Sequence, residues 1–498
     1  MNQNIKLLLL FVSFLLVGQL NAQYFGQNKA RYEKFDFKVY NTPNFEIYHY
    51  LKNDSSILDL SQQTEQWYRL HQAVLRDTFT KKNPLIFYNN HADFQQTNAI
   101  SGNIGVGTGG VTEGLRNRVI MPLTHSNQQT HHVLGHELVH AFQYHMVING
   151  DGTSLRSLSN LPLWMVEGLA EYLSIGRSDA HTAMWMRDAV LNDNVPAIKD
   201  LDNPKYFPYR WGQAFWAFVT GIYGDEIIEP FFMTTAKEGL KVASKKVLGT
   251  TLKDLSTRWQ EGLKTHYQPY LNNKATVKGK ELFSKKNAGK MNLSPVLSPN
   301  GKYVVFLSEK DLFSLDLFLA EARTGKIIRK IASPSRDGHI DDFSYLESAG
   351  TWSPNSKKFA YVVVSKGANR LVIKNIKNGK TEREITIPGL PAITNPTWSP
   401  DGKTIVVAAL VEGQNDLYAY NLKTNLVTQL TNDNASELHP AWSKDGTKLV
   451  YSSDRISLQN GRVNGKWTYG LTTLDIATGE QTDLKVFHGA DNFNPLFD

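Results

Sequence analysis

Residues 136–140 read His136-Glu137-Leu138-Val139-His140, and the fold of the first half of the chain is decided by what surrounds them. Two histidines four apart project from one side of a helix, so both imidazoles can reach one first-row divalent ion such as Zn²⁺. Glu137 falls on the neighbouring face, where its carboxylate can take a proton from an attacking water. Ser126 can cap a helix running from Gln128 to about Met146. Val133, Leu134, Leu138, Val139, Ala141, Phe142 and Met146 give that helix an apolar face, and a buried helix holds ligand rotamers firmly. Downstream, Leu161-Pro-Leu-Trp-Met-Val-Glu-Gly-Leu-Ala-Glu-Tyr172 places Glu167 and Glu171 one turn apart in a second apolar helix. Carboxylates there are costly to bury without partners, and a metal plus a ligand histidine would satisfy both.

These residues carry a family resemblance. His136, Glu137, His140 and the segment from Trp164 to Tyr172 resemble the gluzincin metallopeptidases, the group that includes thermolysin and the zinc aminopeptidases. The resemblance implies one Zn²⁺ per chain held by His136, His140 and Glu167, with Glu137 as general base. It makes Glu171 the carboxylate that orients the first ligand histidine through its other ring nitrogen. The competing metzincin pattern would need glycine at 143 and histidine at 146, where this chain has Gln143 and Met146. Pro208-Tyr-Arg-Trp-Gly212 is similar to the Pro-Tyr-x-x-Gly stretch of the aminopeptidase branch, which implies that the Tyr209 hydroxyl donates to the oxyanion. The plainer reading is that Tyr209 opens an amphipathic helix with Phe215, Phe218, Val219 and Ile222 in the core.

Glu113 lies at a distance from the zinc motif similar to that of the glutamate that binds the substrate amino terminus in zinc aminopeptidases. The family's Gly-x-Met-Glu-Asn motif is not reproduced around it. Internal peptide cuts are therefore expected, and an aminopeptidase is the alternative. The glycine-rich stretch from Gly102 to Gly114 is too irregular for a nucleotide loop and reads as a cleft wall. His125, His131, His132 and His145 are read as surface or satisfied structural histidines. A third histidine on one helix lies too far along the axis to share one ion with both neighbours.

Lys6 precedes the apolar run Leu7 to Val17, and Leu20-Asn-Ala22 ends in a small residue, so residues 1–22 read as a signal peptide. The run is short for a membrane span, and no later segment reaches the length a span needs. The expected location is exported: periplasmic, outer-membrane-associated or secreted from a bacterium. The chain has no cysteine, which excludes a disulfide framework and a lipidated cysteine anchor. Its formal charge of +7 is spread along the chain and partly due to a lysine-rich segment, so it does not argue for nucleic acid.

The expected architecture is multidomain: an α+β zincin metallopeptidase domain over residues 23–271, a lysine-rich linker over 272–290, and an all-β propeller over 291–498. Strands are expected at 44–50, 85–88 and 118–122, and a helix at 58–75. Beyond the linker, Leu293-Ser-Pro-Val-Leu-Ser-Pro-Asn-Gly-Lys302, Thr351-Trp-Ser-Pro-Asn-Ser-Lys357, Asn395-Pro-Thr-Trp-Ser-Pro-Asp-Gly-Lys403 and His439-Pro-Ala-Trp-Ser-Lys-Asp-Gly-Thr447 each precede an alternating apolar strand. Spacings of about 44 to 55 residues suit propeller blades of four strands. Together with Asn415-Asp-Leu-Tyr-Ala-Tyr-Asn-Leu-Lys-Thr424, this block resembles the TolB-type β-propeller. Its tryptophans are read as blade core. Residues 494–498 look like the opening of a fifth blade, which makes the propeller incomplete or closed by that last strand.

Two functions are compatible with the sequence. One is a zinc peptidase acting on a peptide or protein substrate, with the propeller recruiting substrate or an envelope protein partner. The other is an envelope protein-binding scaffold in which zinc is structural. A structural site has no use for a base beside an open coordination position, so Glu137 separates the two.

Overall fold

The computed structural model describes residues 31–100, 102, 104–148, 155–271, 279–311, 314–337, 340–343, 349–461, 466–487 and 489–498. The expected signal peptide lies outside them. No helix among the described residues is long and apolar enough to cross a membrane.

The N-terminal part begins with strands β1 (Lys38–Asn41) and β2 (Phe45–His49), helix α1 (Asp54–Leu75), and strands β3 (Asn83–Tyr88), β4 (Val111–Glu113) and β5 (Arg118–Pro122). They form a five-stranded sheet in the order β1-β2-β3-β5-β4. β2, β3 and β5 are parallel, whereas β1 and β4 run antiparallel at the two edges. Alternation decides the faces: Phe45, Ile47, Leu85, Phe87, Val119 and Met121 turn into the main core against Trp67, Leu138 and Phe142. Ile120 and Tyr88 turn to the other face, onto Phe94 and Ile104.

Helices follow: α2 (Asn127–Ile148), α3 (Leu163–Ile175), α4 (Ala180–Leu191), α5 (Pro208–Tyr223), α6 (Ile228–Glu238), α7 (Leu240–Val247) and α8 (Leu252–Leu271). Ser126 caps α2 as its side chain predicts, accepting from the Gln129 amide at 3.2 Å. α1 begins four residues earlier than its apolar pattern suggests, because Asn53 caps it by accepting from the Ser55 amide. The short edge strands β1 and β4 carry no strong apolar alternation and were not expected.

The C-terminal part contains four antiparallel sheets among the described residues. Three are four-stranded, β6–β9 (residues 292–332), β15–β18 (392–429) and β19–β22 (437–483), and one is five-stranded, β10–β14 (342–385), in which β10 and the two-residue β11 (Thr351–Trp352) both pair with β12. The repeated Ser-Pro-Asp-Gly signature is a turn whose parts satisfy one another. Ser399 Oγ donates to Asp401 Oδ1 at 2.6 Å and accepts from the Thr404 amide, Asp401 also accepts from the Lys403 amide, and Gly402 takes φ +74°. Ser298 with Asn300 and Ser443 with Asp445 repeat it, and in the second repeat Ser356 occupies the left-handed position usually given to glycine. Successive blades share cores: Val305 and Leu319 pack with Trp352 and Phe359, Ala360 and Ile373 with Trp398 and Ile405, and Val406 and Ala408 with Leu449 and Tyr451. The tryptophans thus serve blade packing.

Two expectations differ here. Residues 494–498 form no strand; Phe493 just before them packs on His439 and Tyr469 of the fourth blade. The segment expected to be linker also contributes to the propeller, since Phe283 stacks on Phe306 at 3.9 Å and Ala288 is buried in the same cluster.

Candidate metal centre

Helix α2 passes through the middle of the N-terminal part, with His136, Glu137 and His140 all buried. α3 packs across it and presents Glu167 and Glu171. His136 Nε2 lies 3.1 Å from His140 Nε2, and Glu167 Oε2 lies 3.3 Å and 3.2 Å from those two nitrogens. Three donor atoms therefore form a near-equilateral triangle. Bonds of about 2.0–2.1 Å in a tetrahedral site imply ligand–ligand edges of about 3.3–3.4 Å, so two neutral imidazoles and a carboxylate fit a zinc ion in both chemistry and spacing.

The other ring nitrogens fix which atoms carry protons. Gln143 Nε2 donates to the Val166 carbonyl at 3.0 Å, which leaves its Oε1 to accept from His140 Nδ1 at 2.8 Å. That puts the proton of His140 on Nδ1 and aims the Nε2 lone pair into the triangle. His136 Nδ1 faces Glu171 Oε1 at 3.1 Å, an ion-pair contact lying off the line of an aligned hydrogen bond. Glu171 is in turn held by His132 Nε2 at 3.1 Å and by Arg210 at 3.2 Å, and Arg210 also reaches Asp179 at 3.2 Å.

Burial opposes charge on His136, yet the close carboxylates of Glu167 and Glu171 hold its imidazole up to about 10. Burial likewise opposes ionisation of Glu167 and Glu171. The histidines facing them, His136 and His140 for Glu167 and His132 and His136 for Glu171, hold both carboxyls well below the usual range. A proton shared between such groups occupies the place a divalent cation would take, and metal binding would displace it. His132, His136 and Glu171 form a second trio of potential ligands. Arg210 already supplies positive charge there, which suits an orienting network better than a second ion.

Glu137 points away from the triangle's supports and toward β4. Its Oε2 accepts from the Thr112 hydroxyl at 2.7 Å, and the Glu137 carbonyl lies 3.0 Å from the same hydroxyl, whose single proton serves the nearer carboxylate. A Cβ on Gly110 would come within 2.8 Å of Glu137 Cγ, so the glycine-rich stretch provides the close approach of the β4 strand to Glu137. Tyr209, in the first turn of α5, stacks on His136 with centroids 5.7 Å apart and an interplanar angle of 17°. Burial first, then the charges of Glu167 and Glu137, push its phenol up, so it stays a neutral donor, and its hydroxyl reaches Glu167.

Glu113 is not part of this group. It pairs with Arg118 across β4 and β5, one position along from Thr112 and hence on the other side of the strand. Sequence reasoning passed over Gln143, Thr112 and Arg210. Gln143 carried the one available signal, three positions after His140 on the same helical face.

The propeller docks on the amino-terminal end of α2. The Asn127 amide donates to Ser436 Oγ at 2.9 Å, Gln128 Nε2 donates to the Trp467 carbonyl at 2.8 Å, and the Tyr469 hydroxyl donates to Ser126 Oγ at 2.7 Å. The Asn127 backbone amide, which has no partner within the helix, is thus met from another part of the chain.

Comparison with known proteins bears on the propeller. The family model described as TolB beta propeller domain matches residues 340–460. A solved TolB from Acinetobacter baumannii is 20% identical, with 41% of this chain and 45% of that chain covered and a TM-score of 0.33. A putative TolB from Agrobacterium tumefaciens is 16% identical over 41% of this chain and 84% of that one, with a TM-score of 0.32. Kuenenia stuttgartiensis hydrazine synthase is 17% identical over 42% and 53%, with a TM-score of 0.29. No curated protein matches the chain. The family match and the blade registers define a multidomain protein: a helix-rich N-terminal part and a TolB-like β-propeller region.

Proposed function

We propose that the chain is an exported zinc-dependent peptidase whose propeller binds substrate or a protein partner beside the cleft. The observation that carries this reading is the triangle of His136, His140 and Glu167 with Glu137 beside it rather than in it. A zinc ion, when bound, supplies Lewis acidity and brings the pKa of water toward neutrality. His136, His140 and Glu167 would hold it, and Glu171 and Gln143 keep the two imidazoles in the ligating tautomer. Glu137 takes the proton of the attacking water and returns it to the leaving amine, while the Thr112 hydroxyl fixes one of its oxygens. Tyr209 donates to the oxyanion. The outer edge of β4 offers free backbone groups to an extended peptide, and the pairing of Glu113 with Arg118 supports internal cuts over amino-terminal trimming.

The second reading, a periplasmic or envelope protein-binding scaffold with structural zinc, is favoured by the TolB family match. The Glu137→Gln variant separates the two. For a peptidase it keeps its zinc by elemental analysis and loses nearly all cleavage of a mixed peptide pool. Cleavage near wild-type level in that variant removes the base assignment, and a zinc-loaded wild type that cleaves nothing leaves the scaffold.

A further inference from the structure

A row of aromatic rings leads from the metal centre to the surface. Tyr209 stacks on His136, Phe207 stacks on Tyr209 with centroids 5.0 Å apart at 27°, and Trp185 lies 5.8 Å beyond Phe207. The outer two are open, with Phe207 43% and Trp185 39% exposed. Neither position is accidental in the fold. Pro208 at the start of α5 fixes the backbone after Phe207, and Asp179 caps α4, which carries Trp185, while accepting from Arg210 of α5. The orienting network of the metal centre therefore also sets the separation of Trp185 from Phe207.

We propose that Trp185 and Phe207 form a side-chain subsite that takes an aromatic or large aliphatic residue of a peptide bound at the metal centre. The proposal rests on the peptidase reading and names its substrate class. Two partly exposed rings at the outer end of a row that starts at His136 gain most by covering an apolar side chain, since aromatic rings contribute large area with defined geometry. Two charged groups next to Phe207 along the chain are already engaged: Arg210 with Glu171 and Asp179, and Lys205 over the Tyr206 ring at 4.6 Å. Attraction of a substrate cation to the rings is weak at exposed positions, so burial of apolar area decides.

The test uses the full zinc-loaded chain and blocked hexaalanine peptides carrying Phe, Leu, Lys or Ser at each position in turn. Cleavage of the best Phe or Leu peptide should exceed that of its Ser counterpart by about 10- to 200-fold in kcat/KM. In Trp185→Ala and in Phe207→Ala this ratio should collapse toward one with zinc content intact, and Trp185→Phe should restore part of it. Calorimetric binding of the same peptides to the Glu137→Gln protein gives a second readout that needs no turnover. A Phe-over-Ser preference in binding that is lost in Trp185→Ala, with no cleavage by wild type, supports the subsite while overturning the peptidase reading. Equal handling of Phe and Ser peptides, a preference for Lys, or binding of cellohexaose in place of the Phe peptide overturns the subsite.

Discussion

At the residue scale, the candidate metal centre separates groups that would hold an ion from groups that would hold those ligands. Glu167→Ala removes one corner of the triangle and leaves two buried imidazoles facing each other, so zinc should be lost measurably. Glu171→Ala, Gln143→Ala and Arg210→Met leave the triangle intact and release its supports, and each should weaken zinc affinity by about ten- to a hundredfold. Competition with a chromogenic chelator checks both, and full zinc retention in Glu167→Ala would show the ligand set to be wrong. The spacing of His136, His140, Glu167 and Glu171 made these four legible in the sequence, because helical geometry fixes which side chains share a face. Arg210 and Thr112 were not legible. Their roles depend on how α5 and β4 approach α3 and α2, and no local pattern encodes that approach.

At the scale of elements, α3 and α5 meet through a pair of glycines. A Cβ on Gly168 would lie 2.2 Å from Gly212 Cα, and one on Gly212 would lie 1.9 Å from the Trp164 carbonyl oxygen. Backbone faces backbone, so neither helix can yield by turning a side chain. This contact brings the first turn of α5 down onto Glu167 and Glu171, delivering Tyr209 to one and Arg210 to the other. Gly168→Ala should force the helices apart and destabilise the protein by about 1–3 kcal/mol or more, as overpacking does. Urea unfolding followed by tryptophan fluorescence measures it, and unchanged stability would mean that the helices do not meet as described. Both glycines were visible as letters of the quoted motifs, but their reason lies in a contact between segments 44 residues apart. The strands of the propeller were more legible than those of the first sheet, since each blade repeats its own turn chemistry within a few residues.

At the scale of the whole molecule, the propeller loop that meets α2 is built on buried acids. Thr431 Oγ lies 3.1 Å from Asp416 and 3.2 Å from Glu437 and also accepts from the Leu417 amide, so its single proton can serve only one carboxylate. Asp454 accepts from the Ser436 amide, and Ser436 accepts from Asn127 at the start of α2. Burial, reinforced for Glu437 by Asp433, Asp416 and Asp454, pushes Glu437 well up; burial also raises Asp454 to about 7 and Asp416 to about 6. Arg455 offsets part of this charge through Asp433. The folded chain thus binds more protons at this cluster than the unfolded chain, so the cluster's contribution to stability falls as pH rises. The contribution is fully present below the ordinary carboxylate pKa near 4 and is lost as pH climbs through about 6 to 7 and beyond. Thermal midpoints of wild type should therefore drop from pH 5 to pH 8 relative to Glu437→Gln, which cannot ionise at that position. Parallel curves for the two proteins would place the titrating groups elsewhere.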